Sequence, residues 1–120
     1  MGPTVLIVDD HAGFRRFARR LLEEEGFAVV GEAADGASAL AATEALRPQV
    51  VLLDILLPDT DGFAVAERLT GTDGGPVVVL TSSREVTDFG TRVAQSPAHA
   101  FIHKSELSGA ALAAVARVAR

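Results

Sequence analysis

Five side chains that could bind a cation and a phosphoryl group each follow a short apolar run. Asp9 and Asp10 follow one run, Asp54 ends another, Thr81 ends a third, and Lys104 comes just after a fourth. In a parallel α/β sheet the carboxyl ends of the strands share one edge, and ligands bind at that edge. Carboxylate oxygens suit a hard divalent cation, while a hydroxyl and an ammonium suit phosphoryl oxygens. These residues therefore predict a site for metal-assisted phosphoryl chemistry.

The elements that must position these residues alternate between strand-like runs and helix-like segments, the pattern of an α/β fold. The continuous apolar run that ends at Asp54 is typical of a strand covered by helices on both faces. We predict one domain over residues 1–120, a (βα)5 fold with a doubly wound, five-stranded parallel sheet. The predicted strands are 4–9, 28–33, 49–54, 76–81 and 100–103, and the predicted helices are 12–25, 37–46, 63–69, 85–94 and 106–119.

Local signals mark the ends of several predicted helices. Gly26 suits the C-cap of the first helix, and Ser105 suits the N-cap of the last. Gly90 weakens the predicted fourth helix by up to about 1 kcal/mol relative to alanine. The first helix has an apolar face that includes Phe14, and its other side carries a group of arginines. We interpret that side as a solvated face rather than a nucleic-acid patch. The arginines are Arg15, Arg16, Arg19 and Arg20.

The composition excludes several classes of protein. The net charge of −5 argues against direct nucleic-acid binding, because such domains usually carry a basic face. The chain has no cysteine, so disulfides, thiolate metal sites and cysteine nucleophiles are excluded, and a cytoplasmic location fits. We expect no membrane association, because no apolar run approaches the roughly 20 residues of a membrane-spanning helix.

Taken together, the motifs resemble the receiver domain of two-component response regulators. The resemblance covers nearly the whole chain, and all its motifs occur in order. It implies a flavodoxin-like sheet with strand order 2-1-3-4-5, as in the chemotaxis regulator of that family. The matching segments are Val-Asp-Asp at 8–10, Leu-Asp-Ile-Leu-Leu-Pro at 53–58, Asp-Gly at 61–62, Leu-Thr-Ser at 80–82 and Phe-Ile-His-Lys at 101–104.

The resemblance assigns a role to each residue of the site. It implies that Asp54 accepts the phosphoryl group and forms an acyl phosphate. It also implies that Asp10 and Asp54 bind Mg²⁺ directly and Asp9 through water, with the backbone carbonyl of Leu56 as a further ligand. Lys104 is expected to pair with a phosphoryl oxygen as a mobile point charge.

The resemblance further implies a conformational switch and two tuning positions. Thr81 would hydrogen-bond the phosphoryl group, and the Phe101 ring would turn inward as Thr81 moves. That change would alter the surface formed by helix four, strand five and helix five. Leu56 and Ser83 occupy the positions that tune phosphoryl hydrolysis, and the apolar Leu56 predicts a long-lived phosphoaspartate. The segment 96–100 lacks the Gly-Ala pair common before strand five, which leaves the course of helix four open.

We therefore expect a stand-alone receiver that acts as a phosphorylation-activated switch in a phosphorelay. Its chemistry would be autocatalytic phosphoryl transfer and hydrolysis, without turnover of an external substrate. The expected donor is a sensor histidine kinase or a phosphotransfer protein. The expected target is a downstream protein or an output domain outside this sequence, with a phosphorylation-linked homodimer also open. Two alternatives remain: an excised receiver of a longer DNA-binding transcriptional regulator, and a non-phosphorylated scaffold of the same fold.

Overall fold

A five-stranded parallel sheet forms the centre of the computed structural model, which describes residues 2–71 and 73–118. The strand order is β2-β1-β3-β4-β5, which confirms the predicted doubly wound fold. The strands are β1 (Thr4–Val8), β2 (Ala28–Ala33), β3 (Val50–Asp54), β4 (Val77–Ser82) and β5 (Ala100–His103). The helices are α1 (Ala12–Glu24), α2 (Gly36–Leu46), α3 (Gly62–Thr70), α4 (Arg92–Gln95) and α5 (Gly109–Val118), and two 3₁₀ turns cover Val86–Phe89 and Lys104–Glu106.

Alternate side chains of the central strands build two separate cores, one on each face of the sheet. Leu6 and Leu53 lie in the core covered by α2 and α3, whereas Ile7 and Leu52 lie in the core covered by α1 and α5. All five residues of β3 are buried, as expected for a strand with helices on both faces. Within residues 2–71 and 73–118, no helix has the length and apolar character that a membrane crossing requires.

The strand register aligns the polar strand ends at one edge. Val8 of β1 lies opposite Leu53 of β3, so the residues that follow each of them are neighbours. Asp54 itself lies opposite Thr81 of β4. Ser82 lies opposite His103, the last residue of β5. Polar groups far apart in the sequence therefore meet at the carboxyl edge of the sheet.

The prediction of one continuous helix over 85–94 is wrong. The chain makes a 3₁₀ turn at Val86–Phe89, breaks at Gly90, and resumes as the short helix α4. Gly90 has φ 60° and ψ −128°, a conformation that a residue with a Cβ atom rarely adopts. The glycine therefore divides the segment rather than merely weakening a helix.

Side chains hold the two halves of this segment in place. Glu85 and Asp88 form a reciprocal capping box at the start of the 3₁₀ turn. In α4, Arg92 donates to the Asp61 carboxylate at 3.1 Å and lies 4.4 Å from the centroid of the Phe63 ring. Both contacts connect α4 to the beginning of α3.

The last helix begins later than predicted. Residues 104–106 form a 3₁₀ turn, and α5 starts at Gly109. Ser108 caps α5, because its Oγ accepts the Ala111 N–H at 3.0 Å. Ser105 instead lies in the 3₁₀ turn, where its N–H donates to His103 Nδ1 at 3.1 Å. The predicted end of this helix, at 119, lies outside the described residues.

The arginine side of α1 is only partly solvated, which corrects the sequence interpretation. Arg15 Nε and Arg19 Nε contact the two oxygens of the Glu32 carboxylate at 3.0 and 2.7 Å. The hydrogen bond from Arg19 is the main reason that the pKa of Glu32 is lowered, and the same bond raises the pKa of Arg19. These ion pairs attach α1 to β2 at the edge of the sheet. The C-cap of α1 is Glu25, one residue before the predicted Gly26, which follows the cap with φ 96°.

Candidate functional site

The carboxyl edge of the sheet brings together acidic and basic side chains from three strands. Asp9 follows β1, Asp54 ends β3, and Lys104 follows β5. Lys104 Nζ lies 2.6 Å from Asp9 Oδ2 and 3.5 Å from Asp54 Oδ2. The two carboxylates therefore share one ammonium. Lys104 is the only lysine in the 120-residue chain.

These charged groups are unusually well shielded from water. Asp9 is 0% exposed and Asp54 is 4% exposed. The Lys104 side chain is 16% exposed. Charges removed from water need close partners of opposite sign, because their hydration is lost. One ammonium compensates only part of the charge of two carboxylates, so the site retains an excess of negative charge.

The excess of negative charge affects the pKa of Asp54. Burial is the largest effect and the nearby charge of Asp9 the next, and together they raise the pKa of Asp54 from 3.8 to about 6. Lys104 and the Leu56 N–H act in the opposite direction, since both stabilise the ionised form. A carboxylate with a raised pKa is a stronger base than an ordinary aspartate, and it is still mostly ionised at neutral pH.

Asp10 and His11 form the exposed rim of this cluster. One ligand atom from each of Asp9, Asp10, His11 and Asp54 lies within 4.8 Å of all the others, close enough to surround one metal ion. The His11 N–H donates to Asp9 Oδ1 at 2.8 Å, and its ring Nδ1 lies 3.1 Å from Asp10 Oδ1. Three carboxylates beside one another match the oxygen donors that Mg²⁺ prefers.

Thr81 contributes a buried hydroxyl. Its Oγ1 has no hydrogen-bond partner among residues 2–71 and 73–118. A buried hydroxyl without a partner is costly, so such a group needs an explanation. Thr81 lies directly opposite Asp54 in the sheet register. Its hydroxyl is thus available to a group that would attach at the Asp54 carboxylate.

The other predicted residues surround the centre of the site. The Leu56 side chain is 45% exposed, and its N–H donates to Asp54 Oδ1 at 3.4 Å. Ser83 is exposed, and its carbonyl oxygen lies 3.0 Å from His103 Nε2. Phe101 is half-buried and packs against the core covered by α2 and α3, on the opposite side of the sheet from α1.

The loop after Asp54 is fixed by contacts that sequence reasoning missed. Asp59 accepts the N–H groups of Gly36 and Ala37 at 2.8 and 3.0 Å, and these bonds lower its pKa. Gly62 lies so close to β3 that a Cβ atom there would be 2.6 Å from the Asp54 carbonyl oxygen. The sequence contains the Asp61-Gly62 pair, but no pattern near Asp59 indicates that Asp59 binds the start of α2.

Sequence reasoning also missed the aromatic ring beside Lys104. The sequence predicts only that Phe14 lies on the apolar face of α1. In the structure the centroid of its ring lies 4.5 Å from Lys104 Nζ, within the range of a cation–π contact. The side chain that the sequence placed in the core therefore also borders the site.

One cavity of the described residues lies away from this site. It has a volume of about 500 Å³ and is lined by residues such as Arg47, Arg68 and Pro76, near the amino ends of β3 and β4. None of the candidate site residues lines it.

Known proteins resemble this chain throughout its length. A Pseudomonas aeruginosa protein described as a transcriptional regulator is 40% identical over 116 residues, covering 96% of this chain and 56% of its own length. The DNA-binding response regulator MtrA of Mycolicibacterium paratuberculosis is 40% identical over 90 residues, covering 73% of this chain and 39% of MtrA. The chain spans from 24% to 56% of the first curated relatives that it matches.

Solved structures and the family profile lead to the same assignment. The signal receiver domain of the response regulator NarL from Mycobacterium tuberculosis superposes with a TM-score of 0.83 at 34% identity, covering 94% of this chain and 95% of that one. The sequence profile of the response regulator receiver domain matches residues 5–116. The fold, the acidic edge and these matches establish that the chain belongs to the response regulator receiver domains, the phosphorylation-switched signalling modules of two-component systems.

Proposed function

We propose that Asp54 is the phosphoacceptor of this receiver domain. The observation that carries the proposal is the shielded group of Asp54, Asp9 and Lys104, in which Lys104 Nζ lies 3.5 Å from Asp54 Oδ2. An Asp54 oxygen attacks the phosphorus of a phosphohistidine, the phosphorus–nitrogen bond breaks, and an acyl phosphate forms. The histidine leaves with the electron pair of that bond. Burial makes Asp54 more basic while leaving it mostly ionised at neutral pH.

Two further side chains stabilise the transferred group. The Lys104 ammonium is a mobile point charge that moves from the carboxylates to a phosphoryl oxygen. The Thr81 hydroxyl donates a hydrogen bond to another phosphoryl oxygen. The buried Oγ1 without a partner among the described residues supports this role, because phosphorylation supplies the acceptor.

We propose that Asp9, Asp10, Asp54 and the backbone carbonyl of Leu56 hold Mg²⁺. The support is the cluster of carboxylate oxygens within 4.8 Å of one another, together with the raised pKa of Asp54. When bound, the cation neutralises charge on the transferring phosphoryl group. Without a cation, one lysine contacts two of the three carboxylates of the cluster, so the residues present fit a divalent ion.

We propose that the switch runs from Thr81 through Phe101 to the α4–β5–α5 surface. Thr81 lies opposite Ile102 in β5, one residue from Phe101. Phe101 packs against the same core as Phe89 and Val93, which belong to the divided helix-four segment. A movement of Thr81 toward the phosphoryl group therefore reaches that segment through one layer of side chains.

We propose a sensor histidine kinase or a phosphotransfer protein as donor, and a cytoplasmic location. The target of the switched surface is a downstream protein or an output domain of a longer regulator, such as a DNA-binding domain. A phosphorylation-linked homodimer is a third possibility. The net charge of −5 argues that the receiver itself does not bind nucleic acid.

The test is the intact mass of the protein after incubation with acetyl phosphate and Mg²⁺, beside Asp54→Asn. We expect one added phosphoryl group on the native chain, and none without Mg²⁺ or in the variant. Addition to Asp54→Asn would identify a different acceptor. No addition under any condition would instead favour the alternative of a non-phosphorylated scaffold.

A further inference from the structure

Among the described residues, the Lys104 ammonium makes two ion pairs and one cation–π contact. The ion pairs are with the carboxylates of Asp9 and Asp54. The cation–π contact is with the face of the Phe14 ring, whose centroid is 4.5 Å from Nζ. An ammonium this close to an aromatic face is attracted by the ring quadrupole, and the attraction is stronger where water is excluded. The Lys104 side chain is only 16% exposed, so water competes weakly here.

The two carboxylate contacts do not persist through the proposed reaction. Asp54 would become an acyl phosphate, and a divalent cation held by the acidic cluster would compete with Lys104 for Asp9. Lys104 must leave both carboxylates and bind a phosphoryl oxygen while it remains in the site. Phe14 is the neighbour whose chemistry is the same before and after phosphorylation.

The ring is also held firmly enough to guide the lysine. Phe14 lies in the first turn of α1 and packs against the core that contains Ala18 and Leu22. The next residue along the chain, Arg15, attaches α1 to Glu32 and donates to the Asp9 carbonyl oxygen at 2.6 Å. By contrast, Phe17 is 55% exposed, although it lies on the same helix.

We propose that Phe14 is a positioning residue for Lys104, which keeps the ammonium in the site as it moves from the carboxylates to the phosphoryl group. The inference rests on the proposed function for the movement of Lys104, but the contact itself does not depend on it. An aliphatic residue of similar volume would fill the space without attracting the ammonium. The role therefore requires an aromatic ring rather than an apolar side chain alone.

The kinetic test compares Phe14→Leu with Phe14→Tyr. Phe17→Leu is the control for packing, because the Phe17 ring centroid lies 6.2 Å from that of Phe14, whereas the cation–π contact of Lys104 is with Phe14. We expect Phe14→Leu to lower the rate constant for phosphorylation by acetyl phosphate about three- to tenfold. Phe14→Tyr and Phe17→Leu should stay close to the native rate. The affinity for Mg²⁺, measured by calorimetry, should not change, because Phe14 supplies no ligand.

Each substitution is then repeated with Lys104→Gln. If Phe14 acts through the lysine, Phe14→Leu has no further effect once the ammonium is gone. An equal loss of rate in both backgrounds would overturn the proposal, because it would show a purely structural effect. A tyrosine variant as slow as the leucine variant would overturn it as well.

A measurement without phosphorylation separates this inference from the proposed function. Since Lys104 is the only lysine, labelling with ¹³C-lysine gives the NMR spectrum of this side chain alone. The Phe14 ring should shift the Lys104 ε-methylene protons upfield, and Phe14→Leu should remove that shift. If the native chain takes no phosphoryl group but shows the shift, the proposed function fails and the contact stands. Absence of the shift in the native chain would refute the contact.

Discussion

Replacing Asp54 by asparagine should stabilise the folded protein at neutral pH when no divalent cation is present. Burial and the charge of Asp9 raise the pKa of the folded-state carboxyl from 3.8 to about 6. Well below pH 3.8 the group is protonated in both states, so its ionisation costs nothing. As the pH rises toward 6, the unfolded chain releases the proton while the folded chain retains it, so stability falls. Above about pH 6, the full free-energy cost of burying the ionised Asp54 carboxylate is present.

The size of the cost follows from the two pKa values. A difference of roughly two pKa units corresponds to about 3 kcal/mol, since each unit is worth about 1.4 kcal/mol. Asp54→Asn removes this charge and leaves Lys104 paired with Asp9 at 2.6 Å, so the lysine is not left without a partner. The gain should be about 0.5 kcal/mol at pH 4 and about 3 kcal/mol at pH 8. For a domain of this size, that gain raises the thermal midpoint by roughly 10 °C.

Urea unfolding of both proteins in EDTA, at several pH values from 4 to 8, measures this difference. Any effect of the amide itself is common to all pH values, so the pH-dependent part isolates the charge. Asp59→Asn is a contrasting control, because backbone N–H groups lower the pKa of Asp59 below its usual value of 3.8. The stabilisation by the ionised Asp59 is lost only as the pH falls through that lowered pKa, so the deficit of this variant should stay nearly constant from pH 5 to pH 8. A gain for Asp54→Asn that is the same at pH 4 and pH 8 would refute the reasoning.

Adding Mg²⁺ should reduce the gain of Asp54→Asn at pH 8, because a bound cation removes the same cost in the native chain. Gly62→Ala should destabilise the fold by about 1–3 kcal/mol, because the new Cβ would meet the backbone of β3. Gly13→Ala, which has open space around it, should instead stabilise α1 by up to about 1 kcal/mol. Thermal unfolding of the two variants measures this difference. Ser108→Ala should cost about 1 kcal/mol through loss of the α5 cap and Ser105→Ala less than half of that, as measured in urea. Leu56→Asn should shorten the lifetime of the phosphoaspartate, and a half-life of only seconds in the native chain would contradict our view of Leu56.

The fold was predictable because its strongest signals are local. Continuous apolar runs such as 50–53 specify buried strands, and the polar residues that end them mark one edge of the sheet. The structure brings Asp9, Asp54 and Lys104 together there, as the sequence suggested. The existence of each element depended on its own residues, so no knowledge of distant contacts was needed.

One detail that was missed depends on a local competitor, and the others depend on partners far away in the sequence. Ser105 has the chemistry of an N-cap, but the ring of His103, two residues before it, binds its N–H, and the helix begins only after Ser108. Asp59 lies 23 residues from Gly36, and no local pattern connects them. The second role of Phe14 likewise depends on Lys104, which the fold delivers from the opposite end of the chain.

The break at Gly90 has a consequence for local unfolding. Neither the 3₁₀ turn at Val86–Phe89 nor α4 contributes a fully buried residue, whereas every residue of β3 is buried. Local opening of this segment exposes little apolar surface and breaks few helical hydrogen bonds. The free energy of this opening therefore lies far below the free energy of global unfolding. Its amide hydrogens should exchange with solvent much faster than those of the central strands. The protein can thus reshape this surface at small cost while the sheet that holds the acidic cluster stays closed.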